Sequence, residues 1–224
     1  VAAAMPTSEM SAPRRNMVDS QRKPNKVTDA RVIAAMAAVP RERFVPDALQ
    51  GVAYSDEDIP LGQGRYLMEP MVFARLLQAA EIAGSDKVLA LGAGAGYGAA
   101  VMARLAASVV ALEADPALAG RARGLLGELG CGTVSVVVGA LEAGCPAEAP
   151  YDVIVLEGEV EDLPDALLRQ LAPGGRLVGV MRRAGIGKAT LCTRLDDGRT
   201  VERVLFDAAT PRLPGFARPA QFVF

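Results

Sequence analysis

The stretch Val88-Leu-Ala-Leu-Gly-Ala-Gly-Ala-Gly-Tyr-Gly98 decides the fold of this chain. A short apolar run, Val88 to Leu91, leads into a cluster of glycines, and a helical pattern of small residues follows. This order predicts a buried strand, a tight turn and a helix. Glycine lets the backbone turn sharply and lets a ligand approach its N–H groups, and a helix N-terminus adds partial positive charge. The stretch therefore predicts a nucleoside-binding turn.

A second apolar run, Ser108 to Leu112, ends in Glu113, 21 residues after Gly92. An acid about 20 residues beyond such a turn is placed to bind ribose hydroxyls. The glycine spacing leaves the ligand open. Counted from Gly94, it fits the dinucleotide pattern G-x-G-x-x-G/A, and from Gly92 it fits the looser G-x-G-x-G of methyltransferases. A nicotinamide dehydrogenase is the less favoured alternative, because the sequence has neither a histidine nor a Tyr-x-x-x-Lys motif to serve hydride transfer.

The composition narrows the possible functions. The chain has 224 residues, a net charge of −2, three cysteines and no histidine. Without histidine, Ser–His and Cys–His nucleophiles and the usual zinc sites are excluded, and we predict no metal. The small net charge gives no attraction to nucleic acid or anionic membranes. The scattered cysteines predict reduced thiols in a cytoplasmic protein, and no apolar run reaches the roughly 18 residues of a membrane span.

From residue 87 onward, strand patterns alternate with helix patterns. The strand candidates are 87–91, 108–112, 133–138, 152–156 and 175–181, and the helix candidates are 98–106, 116–129 and 161–171. Such alternation predicts a parallel sheet with helices on both faces and ligands at the carboxyl ends of its strands. Two further runs, 190–195 and 200–207, flank Asp196-Asp-Gly198 and predict an antiparallel hairpin. We predict a doubly wound, mostly parallel, seven-stranded Rossmann-like α/β sheet with an antiparallel final hairpin.

The chain before the sheet predicts a helical extension. We predict a loose arm at 1–13 and two helices, one at 29–39 with Thr28 as its N-cap and one at 69–82. Between the two helices, residues 41–46 are predicted to be extended and residues 62–64 to form a turn. We divide the chain into an N-terminal arm and helical extension, 1–84, packed on a methyltransferase-like core, 85–224. We expect the end of the core, 221–224, to form an edge strand or a packed tail.

The sequence resembles the protein-L-isoaspartate O-methyltransferase family from about Met17 to Val180. The resemblance is carried by Val39-Pro-Arg-Glu-Arg-Phe-Val-Pro46, Ala53-Tyr-Ser-Asp56, Ile59-Pro-Leu-Gly62, the glycine turn with Tyr97, Glu113, Ala149-Pro-Tyr-Asp152 and Leu171 to Val178. The first of these segments is specific to the family, whereas many methyltransferases share the glycine turn. The resemblance implies methyl transfer from S-adenosylmethionine (SAM) to the isoaspartyl carboxylate of damaged proteins, which is a protein-repair reaction. It implies cofactor contacts from Gly92, Ala93, Gly94, Gly96, Glu113, Ala114, Ala140 and Leu141.

This chemistry suits a chain without histidine. An isoaspartyl carboxylate is ionised at pH 7, so it is a nucleophile without the help of a general base. Catalysis then consists mainly of placing the carboxylate oxygen in line with the sulfonium methyl group.

Three positions depart from the pattern of the family. Ala90 stands where the family has an acid, Ala140 where it has an aspartate beside adenine, and Met68 where it has a serine tied to substrate chemistry. We therefore assign no catalytic residue. Two alternatives stay open: a degenerate member with weak or no SAM binding that acts as a binding or regulatory module, and a methyltransferase that acts on another substrate.

An acidic stretch forms the last notable pattern. Between residues 142 and 165 there are eight acids and no lysine or arginine, and Glu157, Glu159, Glu161 and Asp162 follow the fourth predicted strand. One interpretation is a solvated loop and helix start, where acids are favoured. The other is a negative lip that repels a carboxylate substrate and suits a cation or a basic partner. That partner could be the basic segment 14–31 of the same chain or of a second copy in a homo-oligomer.

Overall fold

A computed structural model describes residues 10–22 and 27–216. Its helices are α1 (Ser11–Arg22), α2 (Ala30–Ala38), α3 (Pro70–Ala80), α4 (Tyr97–Met102), α5 (Pro116–Glu128) and α6 (Asp165–Leu168). Its strands are β1 (Ile59–Gly62), β2 (Arg65–Leu67), β3 (Lys87–Leu91), β4 (Ser108–Glu113), β5 (Val134–Val138), β6 (Tyr151–Val160), β7 (Leu171–Arg183), β8 (Ile186–Arg194) and β9 (Thr200–Asp207). Short 3-10 helices include Arg41–Phe44 and Leu141–Ala143.

The main sheet has the predicted architecture. Within the described ranges it has seven strands in the order β5-β4-β3-β6-β7-β8-β9, and β1 pairs with β2 in a separate hairpin. β3 is parallel to β4 and β6, and β6 is parallel to β7, whereas β8 is antiparallel to both β7 and β9. The fold class is confirmed. The strand order reverses between β3 and β6, which puts the glycine turn at the switch point where such sheets bind ligands.

The central strand β3 explains why both faces of the sheet are covered. Its side chains alternate between two apolar clusters because successive residues of a strand point to opposite faces. Val88 and Ala90 join the larger cluster, which includes residues of α2, α3 and α4. Leu89 and Leu91 join the smaller cluster, which also contains Leu141. A strand segment buried on both faces must be apolar, as Val88 to Leu91 of β3 are.

Two elements near the acidic stretch differ from the prediction. Helix 161–171 was expected, but α6 is limited to Asp165–Leu168 with Pro164 at its N-cap. Proline disfavours the helical conformation in the residue before it, so Pro164 delays the start of the helix to Asp165. Strand β6 in turn continues through Val160, beyond its predicted end at 156. The residues Glu157 and Glu159 consequently lie in a strand rather than in the predicted solvated loop. The prediction for α4, 98–106, was also too long by one turn.

The N-terminal predictions needed smaller corrections. Asp29, not Thr28, caps α2, because its carboxylate accepts from the N–H of Arg31 at 2.8 Å. The segment predicted as extended contains the 3-10 helix Arg41–Phe44. α1 begins at Ser11, inside the predicted loose arm 1–13. The turn of the β1–β2 hairpin, Gln63 and Gly64, lies within the predicted turn 62–64. The predicted strand or tail at 221–224 and residues 23–26 of the basic segment lie outside the described residues.

Among the helices of residues 10–22 and 27–216, none is both long enough and apolar enough to cross a bilayer.

Candidate nucleoside site and its surroundings

The glycine turn has the backbone geometry that its sequence predicts. Gly92, Gly94 and Gly96 have φ angles of +81°, +54° and +98°, which side chains strongly disfavour. The N–H groups of Gly92 and Ala93 donate to the carbonyl of Leu112 at 2.9 and 3.0 Å, so the turn is attached to β4. Gly96 then caps α4. The strand, turn and helix predicted from the sequence are all present.

Glu113 closes the turn from the end of β4. Its carboxylate accepts from the N–H of Gly94 at 2.6 Å, of Ala114 at 2.8 Å and of Asp115 at 3.1 Å. The side chain is fully buried. The structure therefore brings together Gly92, Ala93, Gly94 and Ala114 around the predicted ribose-binding acid, as the spacing required.

Arg65 is a member of this site that the sequence analysis missed. Its Nε lies 3.3 Å from the Glu113 carboxylate, and its Nη2 donates to the carbonyl of Gly92 at 2.5 Å. Both side chains of the pair are at most 3% exposed. A charged pair in such a place needs these additional hydrogen bonds, since burying either charge alone is costly. The sequence signal was weak: a single arginine after the 62–64 turn, with its partner 48 residues away.

The space above the turn is filled by side chains of the chain itself. A methyl group built on Gly92 would lie 2.7 Å from Leu213 Cδ2 and 2.8 Å from Arg65 Nη2. One built on Gly94 would lie 2.8 Å from Leu61 Cδ1. Leu213, Arg65 and Leu61 therefore lie directly against the turn. The backbone and Glu113 carry polar groups of the kind that bind a nucleoside.

The loop after β5 contains Ala140 and Leu141, the last two of the predicted cofactor contacts. The N–H of Gly139 donates to the Glu113 carbonyl at 3.1 Å, which holds this loop beside β4. Ala140 is exposed, whereas Leu141 is buried in the smaller apolar cluster. Ala90, by contrast, lies fully buried within β3, paired with Ala111 and Val155. Alanine at position 90 therefore presents no polar group to a ligand.

Met68 lies next to a buried guanidinium that the sequence analysis did not assign. Arg41 is fully buried; its Nε donates to the carbonyl of Ala53 at 2.7 Å and its Nη2 to that of Met68 at 2.8 Å. The guanidinium also lies 4.9 Å from the centre of the Tyr97 ring. Burial lowers the pKa of Arg41, and the neighbouring tyrosines and Asp58 oppose this. Arg41 thus fixes the loop that carries Met68 against the first turn of α4.

The acidic stretch is less negative than its sequence suggests. Glu157 is buried against Gly98, and burial raises its pKa to about 8, so its carboxyl is protonated at pH 7. Glu159 accepts from Arg182 Nε at 2.6 Å. Glu161 pairs with Arg212 at 2.6 Å. The basic partners of this lip, within the described residues, are therefore Arg182 and Arg212 rather than the predicted segment 14–31.

An open cavity of about 650 Å³ lies beyond the lip. It is bordered by Asp58, Glu159, Arg182, the β7–β8 turn and residues 207–211. The Asp58 carboxylate accepts from the N–H of Glu69 at 2.9 Å and from Thr210 Oγ1 at 3.1 Å. Burial raises the pKa of Asp58, and burial together with Asp58 and Asp56 raises the pKa of Glu69 to about 7. This cavity lies next to the carboxyl end of β6.

Comparison with known proteins identifies relatives over most of the chain. Residues 12–209 match the family model for protein-L-isoaspartate(D-aspartate) O-methyltransferase. A protein-L-isoaspartate O-methyltransferase of Methylorubrum extorquens is 43% identical over 173 residues, which are 77% of this chain and 75% of that protein. One from Methanoculleus marisnigri is 44% identical over 165 residues, 74% of this chain and 75% of that protein.

Solved structures share the fold. One protein-L-isoaspartate O-methyltransferase superimposes with a TM-score of 0.78 at 25% identity and covers 90% of this chain and 66% of its own. A Plasmodium falciparum structure described as such an enzyme in complex with S-adenosyl-L-homocysteine gives the same TM-score at 17% identity, covering 89% of this chain and 97% of its own. The second likeness supports the fold alone.

Proposed function

This chain belongs to the protein-L-isoaspartate(D-aspartate) O-methyltransferase family, and we propose that it transfers a methyl group from SAM to the isoaspartyl carboxylate of protein substrates. The observation that carries the proposal is the closure of the glycine turn by Glu113. In this closure one buried carboxylate and the N–H of Gly94 meet at the switch point of the sheet. This is the position in which a doubly wound sheet binds a nucleoside.

The residues that would hold SAM are those of the turn and of the two following strand ends. Glu113 would accept from the ribose hydroxyls, Leu141 would provide an apolar contact for adenine, and Gly92 and Gly94 allow close approach to the backbone. The cofactor supplies an electrophilic methyl group. The chain contributes binding and orientation, because the acceptor carboxylate is already ionised at pH 7 and needs no base.

The electrostatics of the lip permit such an acceptor. A carboxylate substrate would be repelled by four ionised acids, but Glu157 is protonated at pH 7, and Glu159 and Glu161 are paired with arginines. The open cavity bordered by Asp58 and Glu159 would be the entrance for a protein segment. The lip therefore repels a carboxylate substrate less than its acidic sequence suggests.

A second candidate function rests on the filled groove. Leu213 and Arg65 occupy the space over Gly92, and Ala140 lacks the aspartate of the family. These features favour a degenerate member with weak or no SAM affinity that serves as a binding or regulatory module. A methyltransferase acting on a different acceptor is the third candidate, supported by Met68 in place of the serine of the family.

We also propose a cytoplasmic location and weak self-association. All three cysteines of the sequence are free thiols, as expected of a protein in a reducing compartment. Self-association between the segments 157–165 and 14–31 would depend on exposed charges such as Asp162 and Arg15, because Arg14 already pairs with Glu42 at 3.0 Å. Light scattering at low and high salt tests this contact. A mass that stays monomeric at low salt would exclude it.

Calorimetry with SAM, followed by methyl transfer to an isoaspartyl peptide, separates the candidates. Binding together with transfer to the isoaspartyl peptide, and none to the matched aspartyl peptide, supports the main proposal. Binding without that transfer, but with methylation of a protein extract, supports another acceptor. No heat at millimolar SAM rejects both enzymatic candidates and leaves the binding module.

A further inference from the structure

Residues 211–216, which we call the closing segment, lie across the carboxyl edge of the sheet. The segment extends the pairing of β6: the N–H of Glu159 donates to the carbonyl of Pro211 at 2.9 Å, and the N–H of Leu213 donates to the carbonyl of Glu159 at 2.8 Å. Arg212 adds ion pairs to Glu159 and Glu161, at 3.6 and 2.6 Å. These contacts anchor the segment to the lip of the site.

Leu213 carries the segment over the glycine turn. Its side chain is 3% exposed. Its Cδ2 would lie 2.7 Å from a methyl group built on Gly92 and 2.8 Å from one built on Gly158. Two glycines, one after β3 and one in β6, thus make room for a single leucine. In a nucleoside-bound form, the backbone of Gly92 would have to face the ligand instead.

The end of the segment reaches the loop after β5. Gly215 lies directly against the carboxylate of Glu142. Glu142 belongs to the 3-10 helix Leu141–Ala143. Phe216 is 4% exposed and belongs to the same apolar cluster as Leu141. The closing segment therefore runs from the end of β6, past β3, to the loop that would receive adenine, and it follows the path that a nucleoside would take.

Arg65 occupies the space beside the Glu113 carboxylate, where a ribose would bind. A ribose bound to Glu113 would need carboxylate oxygens as acceptors for two hydroxyls. Both oxygens are engaged by backbone N–H groups, and the Arg65 guanidinium lies 3.3 Å from them. An aliphatic side chain and a cation together thus occupy the groove that the turn forms.

We propose that the closing segment and Arg65 form an autoinhibitory block that competes with SAM for the nucleoside groove. The inference rests on the proposed function, since it concerns the same site. The match to the family model ends at residue 209, so the closing segment lies beyond the matched region. Because SAM binds the open form, the block lowers its apparent affinity by the fraction of molecules that are open.

The test compares SAM affinity, by calorimetry, in full-length variants. Leu213→Ser removes the apolar contact over Gly92 and should tighten SAM binding at least tenfold. Pro214→Ala, at an exposed position of the same segment, is the matched control and should change the affinity less than twofold. Arg212→Gln cuts the anchor at a surface arginine and should tighten binding two- to fivefold, so a folding defect of the first variant does not end the test.

The outcomes distinguish this proposal from the proposed function. Equal SAM affinity in all four proteins overturns the block and leaves the methyltransferase proposal standing. If none of them binds millimolar SAM, the methyltransferase proposal fails. Hydrogen exchange at the N–H of Leu213 then tests whether the closing segment is held on β6. Protection in the wild-type protein that is lost in Arg212→Gln upholds a closing segment seated on β6. Fast exchange in the wild-type protein overturns it.

Discussion

Replacing Glu157 with glutamine removes a titratable group from a buried place without changing its shape. The carboxyl lies against Gly98 at the start of α4, and its Oε1 has no hydrogen-bond partner among the described residues. Burial is the main cause that raises its pKa from an ordinary 4.5 to about 8; Arg65 and Arg41 oppose the shift, and Glu113 adds to it. The side chain is therefore accommodated as a neutral acid.

The sign of the pH dependence follows from proton binding. Between pH 4.5 and about 8 the folded protein holds a proton that the unfolded chain has lost. The free energy of unfolding therefore falls as the pH rises, by about 1.4 kcal/mol per unit, to an upper limit of roughly 5 kcal/mol. Glutamine pays no such ionisation cost. We expect Glu157→Gln to be about as stable as the wild-type protein at pH 5 and at least about 2 kcal/mol more stable at pH 9.

Urea unfolding followed at pH 5, 7 and 9 measures this difference directly. Other groups that titrate in this range, such as Glu69, do so in both proteins, so their contribution cancels in the comparison. Glu57→Gln, at an exposed loop position, serves as the matched control and should show a difference independent of pH. The reasoning is refuted if the gain from Glu157→Gln is the same at pH 5 and pH 9.

Three further substitutions test the hydrogen bonds and the cofactor loop. Arg41→Ala leaves the buried carbonyls of Ala53 and Met68 without a donor, and we expect urea unfolding to show a loss of roughly 2–4 kcal/mol; an unchanged midpoint would argue against this role. Gln170→Ala removes a side chain that accepts a hydrogen bond from one backbone N–H and donates hydrogen bonds to two carbonyls. We expect the free energy of unfolding to fall by roughly 2–3 kcal/mol, and a loss below about 0.5 kcal/mol would contradict these contacts. Ala140→Asp returns the carboxylate that the family has beside adenine, and calorimetry should then show at least threefold tighter SAM binding; weaker or equal binding would mean that this loop does not face adenine.

The sheet could be predicted well because its signals are local. The apolar run of β3, the glycines after it and Asp196-Asp-Gly198 each specify a strand or turn from neighbouring residues. The failure at 157–171 has a tertiary cause and a local one. β6 pairs with β7 as far as Val160, so strand pairing took residues 157–160, which the sequence pattern had assigned to a loop, and the helix begins only after Pro164.

The site was predicted only in its contiguous part. The glycines and Glu113 follow each other at a fixed spacing, so their meeting could be expected from the sequence. Arg65 and Arg41 could not be found in this way, because their partners are distant in sequence and their burial depends on how the hairpin and loops close over the sheet.

The sequence by itself determined that this chain builds a parallel sheet with a nucleoside-type turn, since hydrophobic period, glycine conformation and residue spacing act within short stretches. Only the tertiary structure decided what lies in the groove above that turn. Leu213 follows Gly92 by more than a hundred residues, and Arg65 precedes Glu113 by 48. Contacts over such separations depend on how the elements pack, because that packing determines which side chains fill the space a ligand would use.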